Sequence, residues 1–328
     1  MRISLICPVY DTPPELLRAA AHSVLQPAAS EGIAQLILVD DASPSTATQA
    51  ALAQLAEADR RVLLLRSPHN AGPASARNLG LSVADGEWVG FLDADDVWLP
   101  GHLERLRGVA AAHPEAGWIG AGHLLLNPDG TTESPPRLPD TAGTGLGPGL
   151  RRFAGPALTR LMLGTFWLHL GGMVTRRALL ARAGGFAEGL TYGEDMLLMA
   201  RLSALSPLLL LAADGYGWRR GRPSLTSNAR RLRAASLRMH DIAARDPLLR
   251  PFRRDLRWAR YAAVKGLALN NLLAGRRIPA LGLALRALLL DPREIGEFGL
   301  FLRLLTRGTE DTDLRRYSRA EQFTIHTS

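Results

Sequence analysis

Short apolar runs alternate with amphipathic stretches along the first third of the chain. The runs at residues 2–10 (RISLICPVY), 35–43 (QLILVDDAS), 61–67 (RVLLLRS) and 88–96 (WVGFLDADD) are brief and continuously apolar, which predicts buried strands. Between them, residues 14–26, 46–59 and 73–85 carry apolar positions at helical spacing, and the first and third of these segments open on a proline. Strands alternating with helices of this length predict an α/β fold, a mostly parallel sheet flanked by helices. In such a sheet a ligand lies beyond the carboxyl ends of the strands, near the switch in strand order. Those ends bring Pro8, Tyr10 and Asp11, then Asp40 and Asp41, then Ser67 to Asn70, then Asp93 to Asp96, to one edge.

The pattern changes further on. Residues 127–156 are rich in Pro, Gly and Thr without periodicity, which predicts a long, flexible loop of the kind that serves as a lid. Residues 167–186 return to strand, turn and helix, and 193–204 form a helix with acids in its first turn. From about residue 228 the chain reads as helical and Arg-rich, and the polar stretch 309–328 reads as partly disordered. The division expected is therefore 1–227 for the α/β domain, with halves at 1–115 and 116–227, and 228–328 for a C-terminal helical region.

Composition narrows the classes. The 328 residues are 47% hydrophobic and 21% charged, ordinary for a soluble globular protein. The net charge of +8 is carried almost entirely by Arg, with Lys265 the only Lys, a bias of GC-rich bacterial genomes. Arg suits phosphate-bearing ligands and anionic membrane surfaces alike, so charge alone does not choose. The single cysteine, Cys7, excludes a disulfide framework and a cysteine-based zinc site. No signal-peptide pattern opens the chain, and the apolar stretches at 202–213 and 278–290 are too short or interrupted to span a bilayer, so the chain reads as cytoplasmic. Dispersed Arg without an aromatic-interleaved patch argues against nucleic acid, and no P-loop or GxGxxG follows the first strand.

Three carboxylates in four positions, Asp93, Asp95 and Asp96, close the fourth apolar run. Together they repel, and a hard divalent cation such as Mg²⁺ or Mn²⁺ supplies the missing counter-charge. The plainer alternative is a solvated loop with Asp96 capping the next helix. Asp40 and Asp41 either cap the helix that follows or accept hydrogen bonds from a nucleobase or ribose. Gly72 permits a tight turn, from which Arg77 and Asn78 can point back to the same edge; a surface Arg and a buried Asn are the alternative. Glu194 and Asp195 at a helix start stabilise its dipole by ~0.3–1 kcal/mol or serve as acid–base groups. His22, His102 and His113 read as helix-surface or helix-end residues, Met196 and Met199 as core, and Trp167 and His169 either as lining of the second half's cleft or as packing residues.

In order, PVY, VDDAS, NAGPASARN, FLDADD, GGF and GED resemble glycosyltransferase family 2, inverting nucleotide-sugar transferases of the GT-A fold, over about residues 1–226. The resemblance implies a nucleotide-binding half at 1–115 and an acceptor-binding half at 116–227. It implies that the acidic cluster holds Mn²⁺ or Mg²⁺ against the donor diphosphate, with Asp95 as direct ligand and Asp93 and Asp96 at the metal, its waters or the ribose. Pro8, Tyr10, Asp41 and Gly72 would line the donor pocket, Arg77 would reach base or phosphate, and Asp195 would be the general base with Glu194 orienting it. WRRGRPSLT (218–226) matches the closing motif of the donor site at Trp218, Arg219, Ser224 and Thr226, but Gly221 stands where the family usually has His. Arg219, Arg220 and Arg222 are then the candidates to replace metal charge on the phosphates.

The function expected is transfer of a sugar from a nucleotide-sugar, a UDP-sugar first, to a glycan or lipid-linked acceptor in cell-surface polysaccharide synthesis. The rivals are a nucleotidyltransferase, disfavoured because PVYDTPPE lacks a Gly-rich basic signature, and a catalytically silent relative that binds nucleotide or a partner. Residues 230–273 mix Arg with Leu, Ala, Trp258 and Tyr261, and this basic amphipathic tail reads as a helical cap, a membrane-surface contact on the inner face, or a dimer surface.

Overall fold

The structure, a computed structural model, describes residues 1–26, 32–135, 143–164, 168–190, 192–221 and 229–307. The chain forms two compact units, Met1–Thr159 with Phe166–Arg222, and Arg160–Thr165 with Pro223–Ser328.

The first unit is built on a sheet of eleven strands among the described residues. In chain order its elements are β1 (Ile3–Val9), α1 (Pro14–Leu25), β2 (Ile33–Asp40), α2 (Thr46–Ala58), β3 (Val62–Arg66), α3 (Pro73–Val83), β4 (Trp88–Phe91), β5 (Val97–Trp98) and α4 (His102–Ala112). There follow β6 (Trp118–Leu126), β7 (Thr132–Glu133), β8 (Thr144–Gly147), β9 (Leu150–Phe153), α5 (Gly155–Gly164), β10 (Met173–Arg176), α6 (Arg177–Ala183), α7 (Glu194–Leu205) and β11 (Leu208–Arg219). The main path runs β3-β2-β1-β4-β10-β6-β11-β9-β8, with β5 on β11 and β7 on β6.

The predicted βαβ half is present: β3, β2, β1 and β4 are all parallel. Ile3, Leu5, Ile6, Leu36, Ile37 and Leu38 are fully buried there, as strands covered on both faces require. Pro8 sits inside a central strand, where a missing N–H would ordinarily break the ladder. Its neighbour Val9 accepts from Asp41 N on the β2 side, so position 8 faces β4, whose pairing with β1 has already ended at Ile6 and Phe91. The second half is mixed, not parallel: β10 runs antiparallel between β4 and β6, and β9 antiparallel to β11.

Two expectations are corrected. The fourth run stops as a strand at Phe91; Leu92 N still bonds Ile6 O, and Asp96 N then bonds Asp93 O, closing a turn. Carboxylates cannot continue into a doubly covered sheet, so the acids define the turn. The stretch 127–156 is also not one aperiodic loop: β7, β8 and β9 lie in it, and β8 and β9 pair antiparallel. Gly147 (φ 147°) and Gly149 (φ 69°) turn that hairpin. Residues 136–142 lie outside the described residues.

The second unit contains α8 (Ala229–Ala243), α9 (Arg253–Leu273), α10 (Arg277–Leu290) and α11 (Ile295–Arg307). Ala268, Leu269 and Leu272 of α9, Ala280 and Ala284 of α10, and Leu300, Phe301 and Leu304 of α11 make one core cluster. No helix among the described residues is long and apolar enough to cross a membrane. The predicted disordered stretch 309–328 lies outside the described residues.

Candidate functional site

The carboxyl ends of β1 and β2 carry the only two non-glycine residues with positive φ among those described, Asp11 (50°) and Ala42 (59°). Strain of this kind persists where surrounding bonds over-determine it. Asp11 N donates to Ser43 Oγ (3.0 Å), and Ser43 N donates to Asp40 Oδ1 (2.8 Å). Asp41 is buried, and its two oxygens accept from Ala71 N (3.0 Å) and Gly72 N (2.7 Å). Its carboxylate therefore ties down the turn into α3, whose cap Gly72 adopts φ 88°. Pro8 is half-buried beside this edge, and Tyr10 is 52% exposed.

Arg77, one turn into α3, is buried. One guanidinium nitrogen donates to Asp93 Oδ1 at 2.8 Å and another to Glu194 Oε1 at 2.8 Å. A fork with two charged acceptors thus joins the acidic turn after β4 to the first turn of α7, motifs a hundred residues apart. Burial works against the guanidinium's charge, but Asp93, Glu194 and Asp195 outweigh it and raise its pKa. The Asp93 carboxyl is lowered despite burial, chiefly by Arg77 and then by His169. Next to it, Asn78 exchanges two hydrogen bonds with the backbone of Phe186 (2.9 and 3.0 Å), fixing the GGF turn over Arg77. Asp195 starts α7 with Glu194, and its Oδ1 accepts from Met196 N (2.7 Å). Burial first, and then Glu194's charge, push it up to about 7 against the pull of Arg77.

Asp96 is buried and anchored from β11: Tyr216 Oη donates to one oxygen (2.6 Å) and Arg219 N to the other (2.7 Å). Burial and the charges of Asp93 and Asp95 raise it to about 8. The Arg219 guanidinium donates to Asp95 O at 2.6 Å, so backbone and side chain of Arg219 both clasp the acidic turn. Asp95 itself is half-buried.

The structure gives one of the two residues expected at the cleft or in packing a place beside the acids. His169 is buried, stacks on Tyr216 (4.4 Å between centroids) and offers a ring nitrogen within the same 4.8 Å group as Asp93 and Asp96 oxygens. His123 and Trp218 complete this aromatic floor. Burial lowers His169 to about 4, so the ring is neutral. Its Nδ1 accepts from Gly171 N (3.2 Å), which places the proton on Nε2. A cation taken by this ring must displace either that amide bond or the Nε2 proton. No spacing rule links His123 and His169 to residues 93–96, because they arrive on β6 and on the turn before β10.

Arg220 is not brought to the cluster. Successive strand residues leave opposite faces, and its guanidinium lies at Glu133 of β7 (3.8 Å). At Gly221 the backbone adopts φ 91°, and a Cβ there would overlap Pro128. Trp167, Arg222, Ser224 and Thr226 lie outside the described residues. A separate cavity of about 510 Å³ is lined by Met1, Trp88, Arg107 and Arg176 at the amino ends of β1 and β4, and holds none of these groups.

A sheet parallel in its first half, an acidic turn after its fourth strand and a second acidic pair held to it by Arg77 define an α/β protein of the GT-A type. The fold of S. aureus TarS 1–349, solved in complex with UDP-GlcNAc and with UDP, is similar at TM-scores of 0.62 and 0.60 and 17% identity, covering 98% of this chain and 90% of that one. The profile of glycosyl transferase family 2 matches residues 4–136, about two fifths of the chain. It is 39% identical to succinoglycan biosynthesis protein ExoW of Rhizobium meliloti over 105 residues (31% of this chain, 32% of ExoW). It is 30% identical to O-antigen biosynthesis protein RfbC of Myxococcus xanthus over 201 residues (61% of this chain, 14% of RfbC). The chain thus spans about a third or less of the length of these relatives.

Proposed function

We propose that the chain is an inverting glycosyltransferase that moves a sugar from a UDP-sugar to a glycan or lipid-linked acceptor in polysaccharide synthesis. The observation that carries this reading is the Arg77 bridge, which unites the Asp93–Asp96 turn and the Glu194–Asp195 pair in one site. The relatives named for succinoglycan and O-antigen synthesis, and the TarS complexes with UDP-GlcNAc and UDP, support the process and the donor class.

The donor set suits Mn²⁺ or Mg²⁺: carboxylates of Asp93 and Asp96 with an imidazole of His169, and Asp95 beside them. Bound there, the cation would supply positive charge against a diphosphate. On this reading Asp195 accepts the proton of the acceptor hydroxyl, whose oxygen bonds to the anomeric carbon. The bond from that carbon to the diphosphate breaks, and the diphosphate leaves with its electron pair. A carboxyl near pH 7 is well matched to that exchange. Glu194 is engaged by Arg77 and positions the pair.

Calorimetric titration with UDP, with and without Mn²⁺, on the wild type and on Asp95→Asn tests the donor site. The proposal expects binding that needs both the metal and Asp95. Binding indifferent to metal would transfer the phosphate role to arginine, and no UDP binding would remove the UDP-sugar donor. Slow hydrolysis of the donor, reduced at least a hundredfold in Asp195→Asn, separates a working enzyme from a silent relative.

A further inference from the structure

The charge of this chain is unevenly placed. Residues 229–307 hold 17 basic and six acidic side chains, a net +11 against +8 for the whole sequence. Within that unit, α10 is apolar on both sides. Ala280, Ala284 and Ala287 face the helical core. On the opposite side Ile278 (86% exposed), Leu285 (46%) and Leu289 (82%) project outward. At about 100° per residue these three fall within a stripe roughly 40° wide, and Arg277 and Arg286 lie about a quarter turn to either side of it. Ile295, 68% exposed, continues the apolar surface at the start of α11. Arg276, Arg277, Arg286 and Arg303 are exposed, and none has an acidic partner among the described residues.

A surface helix ordinarily turns its large apolar side chains inward and its polar ones to water. Here the small alanines face the core and the large aliphatics face out, with cationic stems that can lie along the apolar stripe and lift their heads to a charged layer. We propose that α10 docks on an anionic lipid surface, lying in the plane of the interface with Ile278, Leu285 and Leu289 in the acyl boundary and Arg277 and Arg286 among the headgroups. Charge complementarity selects this occupant. A second copy facing the same stripe would bring Arg277 and Arg286 of both chains, and two units of net +11, against each other. A helix of 14 residues is too short to span, which fits a contact in the interface. This inference does not depend on the proposed transfer reaction.

Flotation of the full chain with phosphatidylcholine vesicles, with and without phosphatidylglycerol, tests it. The wild type should float with the anionic vesicles alone, and release as ionic strength approaches about 1 M, where the screening length falls to about 3 Å. Combined Ile278→Ser, Leu285→Ser and Leu289→Ser should weaken partition roughly tenfold or more, with far-UV circular dichroism unchanged because the three positions face solvent. Arg277→Gln with Arg286→Gln should weaken it without altering any apolar group. No flotation of the wild type, or flotation of either variant equal to that of the wild type, overturns the proposal. So does a dimer in sedimentation velocity that the triple serine variant abolishes, which would give the face to a second copy.

Discussion

Replacing Arg77 by Met tests whether the bridge between the two acidic motifs holds the first unit together. The side chains have similar reach, so the change removes the charge and the fork with little loss of volume. It strips one 2.8 Å bond from Asp93 and one from Glu194 and leaves both acids without their cation. Removing one partner of a buried ion pair typically costs ~3–5 kcal/mol. Asp93 keeps a third of its side chain exposed, and water there relieves part of the penalty, so the lower end, about 3 kcal/mol, is expected. For a unit of this size each kcal/mol moves Tm by roughly 2–4 °C, which gives a fall of about 6–12 °C.

The pH dependence sharpens that expectation. The folded Asp93 carboxyl titrates below its unfolded value of 3.8, so its stabilising contribution is present above that pH and is lost as pH falls through the folded value. In Arg77→Met the Asp93 carboxyl loses the cation that holds it low. The gap in Tm between wild type and variant should therefore be full above about pH 3.8 and close as pH falls below it. Thermal melts followed by circular dichroism near pH 7.5 and near pH 3 measure both quantities. A fall of under about 2 °C at neutral pH would refute the claim that these acids depend on Arg77, as would a gap independent of pH. Arg77→Lys should recover only part of the loss, because a point charge cannot span two acceptors as the planar fork does.

Two further outcomes follow from packing. A Cβ at Gly171 would overlap the ring of Tyr216, which stacks on His169 and donates to Asp96, so Gly171→Ala should cost ~1–3 kcal/mol in urea unfolding and weaken UDP binding; an unchanged midpoint would show that the floor is soft. His102 is buried, its ring nitrogens have no partner among the described residues, and burial followed by the charge of Arg105 lowers it to about 3. Its folded pKa lies below the unfolded 6.5, so stability should drop as pH falls from 6.5 toward 3, by ~1.4 kcal/mol per unit. His102→Leu should flatten the slope of unfolding free energy between pH 6.5 and 4.5, and equal slopes in the two proteins would remove His102 as its source.

The first four strands were legible because a strand covered on both faces must be apolar throughout, and the intervening helices keep their own period. The acidic turn was legible for the complementary reason, that no sheet interior accepts three carboxylates. What the sequence did not disclose depends on who meets whom across the fold. The sequence places Arg77 where it could reach a base or phosphate, but gives no sign that it also joins Asp93 to Glu194. Nor does it show that the oxygens of Asp41 hold the amides of Ala71 and Gly72. The direction of β10 and the hairpin of β8 and β9 have no signature beyond a few glycines. His169 carries no spacing signal, since its relation to Asp93 and Asp96 is created by Tyr216 of β11 stacking beneath it.

Gly221 can now be weighed in physical terms. A His at that position would need a left-handed backbone that L side chains resist, and its Cβ would meet Pro128. The substitution is therefore built into the end of β11 and is not a lone lost side chain. It does not follow that arginines have taken over the cation's role. Asp93, Asp95, Asp96, Glu194 and Asp195 bring five carboxyl groups to one region, answered by Arg77 and Arg219; Arg220, the next cation along, is turned to Glu133. Arg77 is already engaged by two acids, and Arg219 by the acidic turn. Adding a diphosphate to that balance raises the negative charge further, and desolvated like charges within a few ångströms repel by several kcal/mol. The local charge balance thus argues for a divalent cation even without the family's usual His, with His169 as the imidazole nearest to the acids.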